Sequence, residues 1–182
     1  MTRLLIAASM SALLMAGSAW AQSTSKPQSL SQQDKAFIDK AADSGMAEAM
    51  LGQLAQQKAS MPAVKEFGRW MAADHSLAGK LLSATAQSLG YQHSPMLTEK
   101  DKALQQELQK LGGAEFDQKY VQAMVQDHKQ AVSLFEAEAQ GGGNSDLKAL
   151  AQDLLPGLQQ HLAEAEELAN ATHASTVGSA NP

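Results

Sequence analysis

Apolar residues recur every three to four positions along most of the chain, and short runs rich in glycine, proline or polar residues interrupt them. That period is helical, and it predicts four long helices. The first spans about Ser31–Lys58, with Ser31 as N-cap and Asp34 at the capping-box position. Ala59-Ser60-Met61 is a tight connection, and Pro62 opens the second helix where a missing N–H costs nothing. This helix runs to Leu89 and stops at Gly90, a residue suited to the left-handed conformation that closes helices. Tyr91 to Leu97 reads as a loop around Ser94-Pro95. Thr98 with Asp101 opens a short charged helix to about Leu111, ended by Gly112-Gly113. The third long helix spans Ala114–Gln140 and stops at Gly141-Gly142-Gly143-Asn144. Ser145 is read as the cap of the fourth, which runs to about Asn170 with a kink expected at Pro156.

The connections carry the topology. Helices one and two, and helices three and four, are joined by a few residues each, so each pair should form an antiparallel hairpin. The link between the hairpins is long and holds the short helix. Two hairpins with one long crossover is the connectivity of a ferritin-like four-helix bundle, all-α; an up-down-up-down bundle with the short helix folded over one end is the alternative. The bundle is expected over residues 31–172. A flexible lead-in, 22–30, precedes it, and a small, polar, frayed tail, 173–182, follows.

Composition narrows the class. A length of 182 residues suits one domain. Aromatics at 4% argue against an all-β fold. The absence of cysteine excludes disulfides, thiolate metal sites and cysteine nucleophiles. A net charge of -5 without a basic block excludes the electrostatic footprint of nucleic-acid binding. Met1–Ala21 has the form of a cleaved signal peptide: Arg3, an apolar run from Leu4 to Gly17, and Ala19-Trp20-Ala21 before the cut. No later run is apolar enough to span a bilayer. The mature protein is therefore expected to be exported to the periplasm or cell envelope.

Each long helix carries one ionisable residue at the centre of its apolar stripe. Helical residues advance about 100° each. On that wheel His75 is surrounded by Val64, Met71, Leu82 and Ala86, and His128 by Val121, Met124, Ala131 and Phe135. His161 lies among Leu150, Leu154, Leu158 and Leu168, and Glu48 among Phe37, Ala41, Leu51 and Ala55. Glu48 and His75 are equidistant from the first hairpin turn; His128 and His161 are nearly so from the second. Burying an unpaired charge costs several kcal/mol, so four such groups must bond to one another, to water or to a cation. One carboxylate and three imidazoles form a reasonable ligand set for Zn, Mn, Fe or Cu. The alternative is a metal-free polar network that specifies helix register.

Further residues are candidates for supporting roles. Met71-x-x-Asp74-His75 and Met124-x-x-Asp127-His128 share a frame, and each Met–His pair lies on one face at i, i+4. Thioether with imidazole would suit copper, whereas methionine stripes also serve as core filler. Asp74 and Asp127 are rotated about 100° from their histidines, better placed to accept a hydrogen bond from a neighbouring helix than to ligate. Asp117, near Tyr120, stands at the start of the third helix and suits its dipole. Glu164, a turn beyond His161, is a fifth ligand or a rim charge. Trp70, Phe67 and Leu81 read as packing, and His93 and His173 as exposed and unrelated.

The stretches AADSGMAEAMLGQLAQQKASMPAVKEFGRWMAADHS, GGAEFDQKYVQAMVQDHKQAVSLFEAEA and LLPGLQQHL resemble the exported bacterial family called domain of unknown function 4142. The resemblance covers about Phe37 to Leu168 and rests on Glu48, Asp74-His75, Phe116-Asp117 with Tyr120, His128, and Leu155-Pro156 with His161. It implies a ferritin-like bundle in the envelope and no assigned activity. Di-iron chemistry does not follow. Such bundles use Glu-x-x-His twice, and here Ala72, Val125 and Leu158 stand where those glutamates belong. The expectation is a mononuclear site, or none, with Glu48, His75, His128 and His161 as the candidate ligands and metal handling or envelope stress as the role. A non-catalytic bundle that contacts an envelope partner or a second copy is the rival, and a peroxide- or superoxide-removing metalloenzyme the third reading.

Overall fold

The computed structural model describes residues 29–178. The expected signal peptide, most of the lead-in and residues 179–182 lie outside it. Five helices follow in order: α1 Gln32–Lys58, α2 Pro62–Ser88, α3 Glu99–Lys110, α4 Gly113–Gly141 and α5 Ser145–Gly178. The start signals act as read. Ser31 and Asp34 exchange both bonds of a capping box at α1, as Thr98 and Asp101 do at α3. Pro62 sits in the first turn of α2, and Gly90 closes that helix at φ 74°.

Two boundaries differ from the sequence reading. The cap of α5 is Asn144, whose Oδ1 accepts from the N–H groups of Asp146 and Leu147; Ser145 is already inside the helix. Asn is as good a cap as Ser, and it directly follows the glycine stop. The fourth long helix also continues past Asn170 to Gly178, so the expected frayed tail is helical from His173 to Gly178. Thr172 is buried and its hydroxyl donates to the Ala169 carbonyl.

Topology is settled by which ends meet. α1 packs along α2, and α4 along α5; α1 also lies beside α4, and α2 beside α5. The turn after α1 touches the start of α4 through Ser60 and Asp117. The turn after α4 touches the start of α1 through Gly143 and Asp34. Neighbouring helices are therefore antiparallel, and the chain runs up, down, down, up. This is the single-crossover arrangement. The crossover, residues 89–112, climbs the outside of the α1–α4 seam. His93 meets Asp39 and Asp43 near its foot, Lys100 reaches Asp127 midway, and the Lys58 ammonium donates to the Leu111 carbonyl at its top.

Two buried aspartates fasten the ends. Asp117 accepts from the Ser60 and Met61 N–H groups at 2.9 Å each and from the Ser60 hydroxyl. Asp34 does the same at the other end for Gly143 and Asn144, at 2.8 and 3.2 Å. Burial raises the Asp34 carboxyl, but bonds from Ser31, Asn144 and Gly143 outweigh it and hold the group below its usual range. Within the first hairpin, Gly52 and Gly68 bring the backbones together. A Cβ at Gly52 would stand 2.6 Å from the Gly68 carbonyl oxygen.

The apolar core is in two parts. One, toward the α1–α2 turn, gathers Leu51, Phe67, Met71, Phe116, Tyr120 and Met124. The other, toward the α4–α5 turn, gathers Phe37, Ile38, Leu82, Phe135, Leu147 and Leu158. Glu48, His75, His128 and His161 lie along the helices between them. No helix among the described residues is long and apolar enough to cross a membrane.

Candidate metal centre

The four predicted central residues are all buried, and the bundle brings them to one level. The rings of His75, His128 and His161 form a near-equilateral triangle, with centroids 5.3 to 5.4 Å apart. One nitrogen from each lies within 4.8 Å of those of the other two. His75 Nε2, His128 Nε2 and His161 Nδ1 are buried and have no hydrogen-bond partner.

The other nitrogen of each ring is held from behind. His128 Nδ1 donates to the Met124 carbonyl oxygen at 2.9 Å. A carbonyl only accepts, so the proton is on Nδ1 and Nε2 presents a bare lone pair. His161 Nε2 meets Asp74 Oδ2 at 3.2 Å. With an ionised carboxylate the proton is on Nε2, and Nδ1 is bare. His75 Nδ1 meets Glu48 Oε2 at 3.2 Å, which leaves Nε2 bare when Glu48 is ionised. In that state none of the three unpartnered nitrogens carries a proton; a protonated Glu48 instead donates to His75 Nδ1 and leaves the ring proton on Nε2.

Electrostatics fit neutral imidazoles. Burial drives the His75 ring well below its ordinary pKa, with the fields of His128 and His161 adding to it. Burial, then His161, pushes His128 down to about 4 against the opposing Met124 carbonyl. His161 is lowered by burial despite Asp74. Glu48 is pushed up to about 8, by burial first and then by Asp127 and Asp101, with Lys100 opposing. In the metal-free protein near neutral pH that carboxyl therefore carries its proton. The burial penalty reverses when a positive charge lies close by.

The remaining candidates divide. Glu48 contacts the Nδ1 atoms of His75 and, at 3.6 Å, His128. It thus stands on the Nδ1 side of two rings. Asp74 and Asp127 each accept from a neighbouring helix, as their rotation predicted, but only Asp74 reaches a histidine; Asp127 pairs with Lys100 at 2.8 Å. Asp117 is occupied at the bundle end. Met71 and Met124 are packed in the upper core, and Met124 serves His128 through its carbonyl, not its sulfur. Glu164 lines a surface groove beside Trp70 and Asp74.

Sequence reasoning missed three features. Trp70 does more than pack: its Nε1 donates to Asp74 Oδ2 at 2.7 Å, and its ring lies edge-on to His161, 4.4 Å between centroids. The i, i+4 spacing of Trp70 and Asp74 was the available signal. His93 is not free in its loop but bridges Asp39 and Asp43 at 3.1 and 2.7 Å. Leu81 does not pack inward; it is 43% exposed.

The family description "Domain of unknown function (DUF4142)" matches residues 19–168. No curated protein matches the sequence. Among solved structures, a DUF305 fragment from Deinococcus radiodurans superposes with TM-score 0.69 at 12% identity, covering 78% of this chain and 98% of that one. A putative secreted DUF305 protein from Streptomyces coelicolor gives TM-score 0.67 at 13% identity, covering 78% and 94%. CopM in the Cu(I)-bound form gives 0.61 at 17% identity, covering 74% and 93%. These similarities show a shared helical fold.

Proposed function

The chain belongs to the DUF4142 family, and we propose that this member binds one transition-metal ion between its helices through His75 Nε2, His128 Nε2 and His161 Nδ1. The observation that carries the reading is the buried triad itself: each of the three rings can offer a nitrogen within 4.8 Å of those of the other two, and each has one buried nitrogen without a hydrogen-bond partner. Acceptors behind ligating histidines are the usual means of fixing tautomer and ring direction. Metal–nitrogen bonds are about 2.0–2.1 Å, so a shared ion requires donor atoms closer than 4.8 Å, and loading draws the three rings inward. Glu48 balances the charge by giving up its proton.

A donor set of imidazoles alone suits copper and zinc better than manganese, which favours carboxylate oxygen. Cu(I) is the first ion to test, because CopM, a protein of similar fold, is known in a Cu(I)-bound form. The role that fits is metal handling, in the periplasm or envelope if Met1–Ala21 directs export. Purification from the native compartment with elemental analysis tests the binding. Near-stoichiometric metal in the unaltered protein and its loss in His128→Ala support the reading. Metal-free protein after incubation with Cu(I), Zn(II), Mn(II) and Fe(II) overturns it in favour of a purely structural polar layer. N-terminal sequencing of the same material tests cleavage after Ala21.

A further inference from the structure

Glycines inside helices cost about 1 kcal/mol each relative to alanine. Gly52 and Gly68 are explained by the α1–α2 contact, but Gly79 on α2 and Gly157 on α5 are not. A Cβ at either would meet nothing within 4 Å. Both line a cavity of about 180 Å³. Leu77 and Leu81, 59% and 43% exposed, also line it and mark its opening to solvent. Its other lining is mostly apolar, as with Leu82, Phe135 and Leu158. The exception is a polar group at the histidine level: Glu48, His75, His161 and Asp74. Three of these carry buried atoms without a partner, Glu48 Oε1, His75 Nε2 and His161 Nδ1.

The geometry points to a binding site for a neutral small molecule with one apolar ring and one polar nitrogen head, seated between α2 and α5 with its head at the His75–His161 edge. An engineered apolar cavity of about 150 Å³ takes up benzene, so this chamber has room for a ring. Its polar end supplies both kinds of partner an azole needs. His161 Nδ1 and Glu48 Oε1, both buried without a partner, receive its N–H in the metal-free protein. An ion held by the three histidines receives its lone pair in the loaded one. A charged molecule would be disfavoured by the apolar walls. The missing side chains at Gly79 and Gly157 keep the chamber open. The head's coordination to metal rests on the function proposed above; the ring's place in the chamber does not.

The test titrates the full chain with 4-phenylimidazole and with imidazole, each with and without bound metal, by calorimetry. The expected result is at least a tenfold advantage for the phenyl compound in both states. In Gly157→Leu, which fills the chamber without a clash at Cβ, that advantage should fall to twofold or less, while imidazole binding and metal content stay unchanged. Equal affinities for the two probes, or an advantage that survives Gly157→Leu and Gly79→Leu alike, overturn the proposal. If the protein takes no metal at all, the reading of the histidines fails, and the metal-free titrations alone still decide the chamber.

Discussion

Trp70 and Asp74 sit one turn apart on α2, joined by an indole N–H that donates to Oδ2 at 2.7 Å. The same oxygen meets His161 Nε2. Asp74 thereby ties a fluorophore to a candidate ligand and sets which ring nitrogen of His161 is bare. Asp74→Asn presents an amide that can offer Nε2 a donor, which would favour the wrong tautomer. It should weaken metal affinity roughly 10- to 100-fold, the usual effect of losing such a support. A chain beginning at Gln22 has Trp70 as its single tryptophan. Its emission should change on metal addition in the unaltered protein and not in His161→Ala.

Glu48 should betray metal binding through protons. Its carboxyl is pushed up to about 8 when no metal is present, and a cation would ionise it. Loading near neutral pH should release about one proton per ion, since ligand sites shed protons as they fill. Calorimetry in buffers of different ionisation enthalpy measures the number. Glu48→Gln should bring it close to zero.

At the α4–α5 turn, Glu138 is 1% exposed and lies against Asp34. Burial and then Asp34 push it up to about 7, with Gln33 and Lys148 opposing. A carboxyl raised in the folded state stabilises the fold fully below its unfolded pKa, and that contribution is lost as pH rises through the folded value. The stability difference between the unaltered metal-free protein and Glu138→Gln should therefore shift against the unaltered chain by about 2–3 kcal/mol between pH ~4.5 and pH ~8. Urea unfolding at both values checks it. Taking the difference cancels the histidines, whose lowered values weaken the fold in the opposite direction, as pH falls.

Asp117→Ala should cost about 1–3 kcal/mol in urea unfolding, because it strands the Ser60 and Met61 N–H groups that the buried carboxylate serves. Metal content of the folded fraction should not change. A loss of metal without loss of stability would instead make Asp117 a ligand.

The glycines divide into two classes with opposite signs. Gly68→Ala should destabilise by about 1–3 kcal/mol, since its Cβ would lie 2.7 Å from the Ala55 Cβ and 2.8 Å from the Gly52 carbonyl. Gly79→Ala should stabilise by up to about 1 kcal/mol, because nothing stands in its way. Thermal unfolding of the two variants side by side distinguishes them.

What could be read without coordinates was whatever depends on local period and on distance from a turn. The helical wheel put Glu48, His75, His128 and His161 inward, and hairpin arithmetic put each pair level. The height of one hairpin against the other was beyond that arithmetic, because it is set by Asp34 and Asp117, which bond across more than 50 residues. The depth of the Glu48 carboxylate was also beyond it. Facing inward says nothing of depth, and its carboxylate ends behind the His75 and His128 rings, on their Nδ1 side. His93 was misread because a loop histidine gains its partners only once the crossover lies against α1. Asn144 was passed over because Ser145, one residue on, is also a good cap.

Among the described residues, the crossover covers one seam of the bundle and leaves the seam opposite bare. A reporter or an affinity handle inserted near Met96, which is 68% exposed, would therefore sit on the crossover and not between Leu77 and Leu81. A bulky label attached at Leu77 would stand in the chamber's opening.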